Sequence, residues 1–225
     1  MNALVDLIPL MLGATLAPLY PILVLLLLQS ERGLAKALAF VAGAVAVRLL
    51  QGVFWGLAFA PAVAAESEAG LALLGPTLLT VLGVLLLAAG VKKWRKEPDE
   101  EDAPPWMSKL SEFTVLKAAG GGALLVLVAV KQWVFTLSAI AVIEEAQPGL
   151  STGVLLYLLF VAATQVPALA PILAFAAAPR RTAAPLRAGQ EWLQRHNRTI
   201  MIAVSLLFGV WFLFKGVSGL LAAGA

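Results

Sequence analysis

The sequence predicts an all-α polytopic membrane protein: six transmembrane helices arranged as two inverted three-helix repeats, with both termini outside. Three observations carry this expectation. The 225 residues are 61% hydrophobic and only 13% charged, with a mean hydropathy of +0.92, against about 45–50% apolar and about 25% charged in a soluble domain. Six apolar stretches each exceed the roughly 20 residues needed to cross a bilayer. Nearly all Lys and Arg residues fall on one side of those stretches. No single water-soluble core of this length could hide so much apolar surface, which excludes a soluble enzyme, a disordered chain and a nucleic-acid reader. The chain has no cysteine and one histidine, so disulfides, thiolate metal sites and thiol-relay chemistry are ruled out. No metal and no cofactor are expected.

The first stretch, residues 3–28, lacks a basic n-region and is too long for the h-region of a cleavable signal. It carries Pro18 and Pro21 near its middle, in GATLAPLYP. The second, 37–61, carries Arg48, and the third, 71–91, carries Gly83-Val84 and Gly90-Val91. The fourth, 118–143, has Lys131 near its centre, and the fifth, 153–178, holds Pro167 and Pro171 beside Thr164 and Gln165. The sixth, 199–222, repeats the glycine spacing of the third as Gly209-Val210 and Gly216-Val217. Each half therefore ends on a span with the same Gly-Val echo. Three is an odd number, so the second half inserts upside down relative to the first. Residues 1–91 form the first repeat and 118–225 the second, joined by a charged cytoplasmic linker at 92–117 that holds a short interfacial helix.

Thirteen of the sixteen Lys and Arg residues lie between spans one and two, three and four, or five and six. The opposite side carries Asp6, Glu66, Glu68, Glu144 and Glu145 and no base. The positive-inside rule makes the three basic loops cytoplasmic. The basic balance is thus a topology signal with anionic-lipid contact. Residues 106–116 and 180–198 read as surface-lying amphipathic helices anchored by Trp106 and Trp192.

Arg48, Lys131 and Lys215 are the bases inside spans. A basic side chain at the helix centre costs about 2.5–3.5 kcal/mol on insertion scales, and the spans offer no acid except Asp6 at the outer edge of the first. Arg48 and Lys131, one per half, are therefore expected to face a hydrated cavity and bind something negative. Gln51, Gln132, Tyr20 and Gln165 cluster at the same depth as further substrate-binding candidates, with Thr15, Thr136, Ser138 and Thr164 as softer ones. Pro18, Pro21, Pro167 and Pro171 are expected to break their helices at mid-depth, because proline removes a backbone donor and crowds the preceding turn. Lys215 is expected to snorkel outward. Gly52 and Gly56 form a GxxxG packing face. No Ser-His-Asp grouping or glycine-rich phosphate loop is present, and no catalytic chemistry is expected.

The order GATLAPLYP, GLAKALAFVAGAVAVRLL, a linker ending in PPW, WLQRHNRTIM and GVWFLFKGV resembles the GAP family of sulfolipid- and glycopeptidolipid-addressing proteins, within the LysE-like exporter superfamily. Ala17-Pro18-Leu19-Tyr20-Pro21 is similar to the family's small-Pro-x-Pro element, with one extra residue between the prolines. Ala129-Val130-Lys131-Gln132 stands where the family has Asn-Pro-Lys-Asn; the lysine matches, glutamine replaces the last asparagine, and the proline is absent. The resemblance implies export, or help with export, of a solute or lipid across a bacterial inner membrane. Its expected partners are membrane lipids and an anionic small molecule or lipid substrate. The small-residue faces are compatible with a homodimer and equally with a monomer. Two other readings stand beside it: a proton-coupled exporter of small amino acids, which wants an intramembrane acid the spans lack, and a non-transporting scaffold for lipid delivery.

Overall fold

The computed structural model describes residues 3–15, 18–64, 68–95 and 112–223. All regular structure among them is helical: α1 (Ala3–Thr15), α2 (Leu19–Leu28), α3 (Gly33–Ala64), α4 (Glu68–Arg95), α5 (Val115–Val128), α6 (Val130–Glu145), α7 (Leu150–Ala177) and α8 (Pro179–Ala223). Four helices are long and apolar enough to cross a membrane, and six spans result if α1 with α2, and α5 with α6, each count as one. The chain is thus a multi-pass α-helical membrane protein. Large apolar side chains line its outside, among them Leu50, Leu57, Leu155 and Phe214. Such a band would promote aggregation in water and is the expected surface against lipid.

The first stretch bends next to Pro18, whereas Pro21, also expected at the break, lies inside α2. α1 and α2 meet at 54°, and Pro18 sits at the start of α2, its carbonyl accepting from Ile22 N at 3.1 Å. The fourth stretch also breaks, by 70° at Ala129, with no proline at the junction. A break in lipid frees carbonyls that need donors, and the indole N–H of Trp133 donates to Leu127 O at 2.7 Å.

Two sequence expectations are corrected here. Pro167 and Pro171 do not break the fifth span, because α7 runs uninterrupted through both. Pro167 cannot donate to Ala163 O, and the Thr15 hydroxyl of the neighbouring α1 approaches that carbonyl at 3.5 Å while donating to Met11 O at 2.5 Å. The helix gives up the backbone bond at each proline and keeps its course, with Thr164, Gln165 and Ala168 buried around the first proline. Residues 180–198 likewise form no separate surface helix: they are the first part of the 45-residue α8, about 68 Å long at 1.5 Å per residue. The other expected surface helix lies mostly outside the described residues, as does the linker over 96–111.

Glycines set the two closest helix pairs. On α3 and α5, a Cβ at Gly43 would overlap the Ala119 carbonyl, and one at Gly122 the Phe40 carbonyl. On α4 and α8, Gly83 faces Leu213, Gly209 faces Leu87, Gly90 faces Ser205 and Leu206, and Gly216 faces Thr80 and Pro76. Small residues let backbones approach where no water drives association. Gly52 admits the Tyr157 ring, whereas Gly56 meets nothing within 4 Å, so only one glycine of that GxxxG packs.

Two apolar cores result. One joins Leu7 and Leu10 of α1, Leu82 of α4, Phe135 of α6, Phe160 of α7 and Phe212 of α8. The other joins Leu23 and Leu27 of α2, Phe40 of α3, Ala118 of α5 and Ile172 of α7. A polar layer lies between them.

Candidate functional site

The polar layer is built by helices that change direction or cross there. Arg48 projects from the middle of α3 and is only 4% exposed. Its Nη2 donates to Gln132 Oε1 at 2.6 Å, placing the first turn of α6 against α3. Nε and Nη1 have no hydrogen-bond partner among the described residues. Tyr20, in the first turn of α2, donates to Gln165 Oε1 of α7 at 2.9 Å. Gln165 Nε2 in turn donates to the Thr164 hydroxyl at 3.1 Å, and Thr164 donates to Val161 O at 2.7 Å.

A small cavity of about 10 Å³ lies inside this layer, lined by Ala14, Thr15, Tyr20, Pro21, Arg48, Gln132, Thr164 and Pro167. That is about the space one water occupies. Of the sequence-predicted residues, Arg48, Gln132, Tyr20, Thr15, Thr164, Pro21 and Pro167 meet at this cavity, and Gln165 is bonded to its rim. Gln51 is buried one turn from Arg48 with both side-chain polar atoms unpartnered among the described residues, but it does not line the cavity. Thr136 and Ser138 are buried on α6 away from it. The Lys131 side chain lies outside the described residues.

Lys215 does not stand alone. It forms an ion pair with Asp6, joining α8 to α1, and Glu145 lies within electrostatic reach of both. The acid at the edge of the first span thus has a partner in the last, a pairing that the outward-snorkelling expectation for Lys215 did not include.

The residue that sequence reading missed is Tyr157. Its hydroxyl donates to the Arg48 backbone carbonyl at 2.5 Å, clamping α7 to α3 at the level of the guanidinium. One signal pointed to it: the chain has only two tyrosines, and both flank Arg48. Tyr20→Phe would strip Gln165 Oε1 of its donor inside the bundle. Unsatisfied buried acceptors cost about 1–3 kcal/mol in soluble proteins, while hydrogen bonds in membrane bundles average about 0.6 kcal/mol. The expected loss is therefore about 1 kcal/mol, read as a lowered unfolding midpoint in detergent.

Fold and site define a multi-pass α-helical membrane protein that buries a guanidinium between two bent helix pairs, where an ionisable group is costly. Over residues 7–218 the chain matches the family model described as Sap, sulfolipid-1-addressing protein. The match covers most of the sequence, and the chain belongs to that family. Comparison with curated proteins and with solved structures returns no match.

Proposed function

We propose that the protein is a LysE-like exporter of the bacterial inner membrane that carries an anionic lipid, taking its negative head group on Arg48 between two inverted three-helix repeats. Membership of a family named for addressing a sulfolipid supports a role in lipid export or delivery. The observation that carries the reading is the Arg48 guanidinium: buried, bonded through Nη2, and left with donors at Nε and Nη1 that no described protein group takes. Burying a charge without a partner is expensive, and an anionic ligand would offset that cost. In this reading Lys131, in the first turn of α6, supplies the second positive charge.

The contacts favour the inverted repeat. Exchanging Gly83 with Gly209 and Leu87 with Leu213 turns one α4–α8 contact into the other. The bonds Tyr20–Gln165 and Arg48–Gln132 have the same symmetry, each tying the broken span of one half to the second span of the other. With the basic loops cytoplasmic, the Asp6–Lys215 pair lies at the outer end and the Gln29–Gln190 hydrogen bond at the inner end. The cavity as it stands admits about one water, so loading requires α2 and α6 to move about their breaks. Alternating access needs such a motion around a fixed midplane site. The chemistry is carriage, with no bond made or broken.

Proteoliposomes containing only this protein test the reading. Fluorescent phosphatidylglycerol is expected to cross the bilayer about tenfold faster than the matching phosphatidylcholine. A protein that moves neither lipid would instead favour a scaffold that serves another machine.

A further inference from the structure

An apolar groove of about 410 Å³ runs between α2, α7 and the first part of α8, a volume within the roughly 300–1,000 Å³ of small-molecule sites. Leu25 from α2, Pro171 from α7, and Leu186 and Trp192 from α8 form its apolar walls. Pro21 and Pro167 line it as well, and the same two prolines line the polar cavity at Arg48. The two spaces thus share a wall, with a trough of hydrocarbon character on one side and an underbonded guanidinium on the other. A hydrogen bond between Gln29 and Gln190 pins the start of α8 beside α2. Exposed Arg181 and Arg187 on that stretch, beside an Arg195 that pairs with Glu191 at 3.8 Å, leave the groove's surroundings net positive. Small residues keep it open: a Cβ on Gly189 would meet nothing within 4 Å.

We propose that groove and cavity form one site for a single anionic amphiphile, its acyl chain in the groove and its negative head group on Arg48. The inference rests on reading Arg48 as the anion-binding group, and it adds where the chain goes. A neutral lipid would leave the guanidinium underbonded, and a free small anion would leave the groove unused. An anionic lipid matches both poles at the spacing the shared prolines impose. The basic stretch of α8 would gather such lipids by surface charge.

The full-length protein would be incorporated into nanodiscs of equimolar phosphatidylglycerol and phosphatidylcholine, re-extracted in mild detergent, and its retained phospholipid counted by native mass spectrometry. The wild type is expected to keep one phosphatidylglycerol in preference to phosphatidylcholine. Gly189→Phe and Ala174→Phe, which fill the groove from α8 and α7, are expected to lower total retained phospholipid about tenfold. Gly120→Phe, also into open space but on α5, is expected to change nothing. Arg48→Gln is expected to keep a phospholipid while losing the preference for phosphatidylglycerol. Wild-type retention by both groove variants would overturn the inference. If Arg48→Gln kept the preference while the groove variants lost their lipid, the anion role of Arg48 would fail, and the joined site with it.

Discussion

Arg48→Met is expected to stop lipid movement while leaving the protein at least as stable as the wild type. Transport of phosphatidylglycerol in proteoliposomes should fall by at least about 100-fold, the kinetic equivalent of about 2.7 kcal/mol, because no other described side chain presents a cation to the cavity. Stability behaves differently. The guanidinium is 4% exposed with two nitrogens unpartnered among the described residues, and replacing such a group by an apolar chain removes its desolvation cost. Against that gain, Gln132 Oε1 loses its donor, at about 1 kcal/mol. The thermal midpoint is therefore expected to stay level or rise. A purely structural arginine would show the opposite pattern, with stability falling and any loss of transport following from it.

The second large effect is on folding. Gly122→Val places a branched side chain where the Phe40 backbone carbonyl already stands. A flexible neighbour could give way, but a helix backbone cannot, so α3 and α5 must part. Overpacking of this kind costs about 1–3 kcal/mol or more, and the upper end is expected because backbone is struck directly. The variant should lose its cooperative unfolding transition, and lipid movement should fail with it, since α3 carries Arg48. Gly120→Val, two residues away and facing open space, should shift the midpoint by no more than about 0.5 kcal/mol.

Much of this architecture could be read from residue types. Hydropathy located the apolar stretches because lipid imposes a length on them. The cost of an unpaired mid-depth charge picked out Arg48, and Pro18 marked the first break. Other features depend on neighbours that a linear reading cannot place. The break at Ala129 carries no proline, and its freed carbonyl is satisfied by Trp133, a residue with no distinguishing mark in sequence. Pro167 looked like a break because its helix loses a donor, yet α7 runs on through it with Thr164, Gln165 and Ala168 buried around it. Tyr157 carries no mark in the sequence, and its place beside Arg48 depends on Gly52 of another helix admitting its ring. The Lys215–Asp6 pair joins opposite ends of the chain, so neither residue announces the other.

The natural absence of cysteine allows the most direct measurement: the reactivity of single cysteines at Arg48 and Leu50 toward a charged, membrane-impermeant thiol reagent. A thiol must ionise to react, which requires water. Leu50 is 68% exposed on the outer surface of the bundle and would sit in lipid. Arg48→Cys is expected to react, while Leu50→Cys stays inert. Equal inertness at both positions would mean that no wet chamber reaches Arg48, contradicting the site and the function built on it.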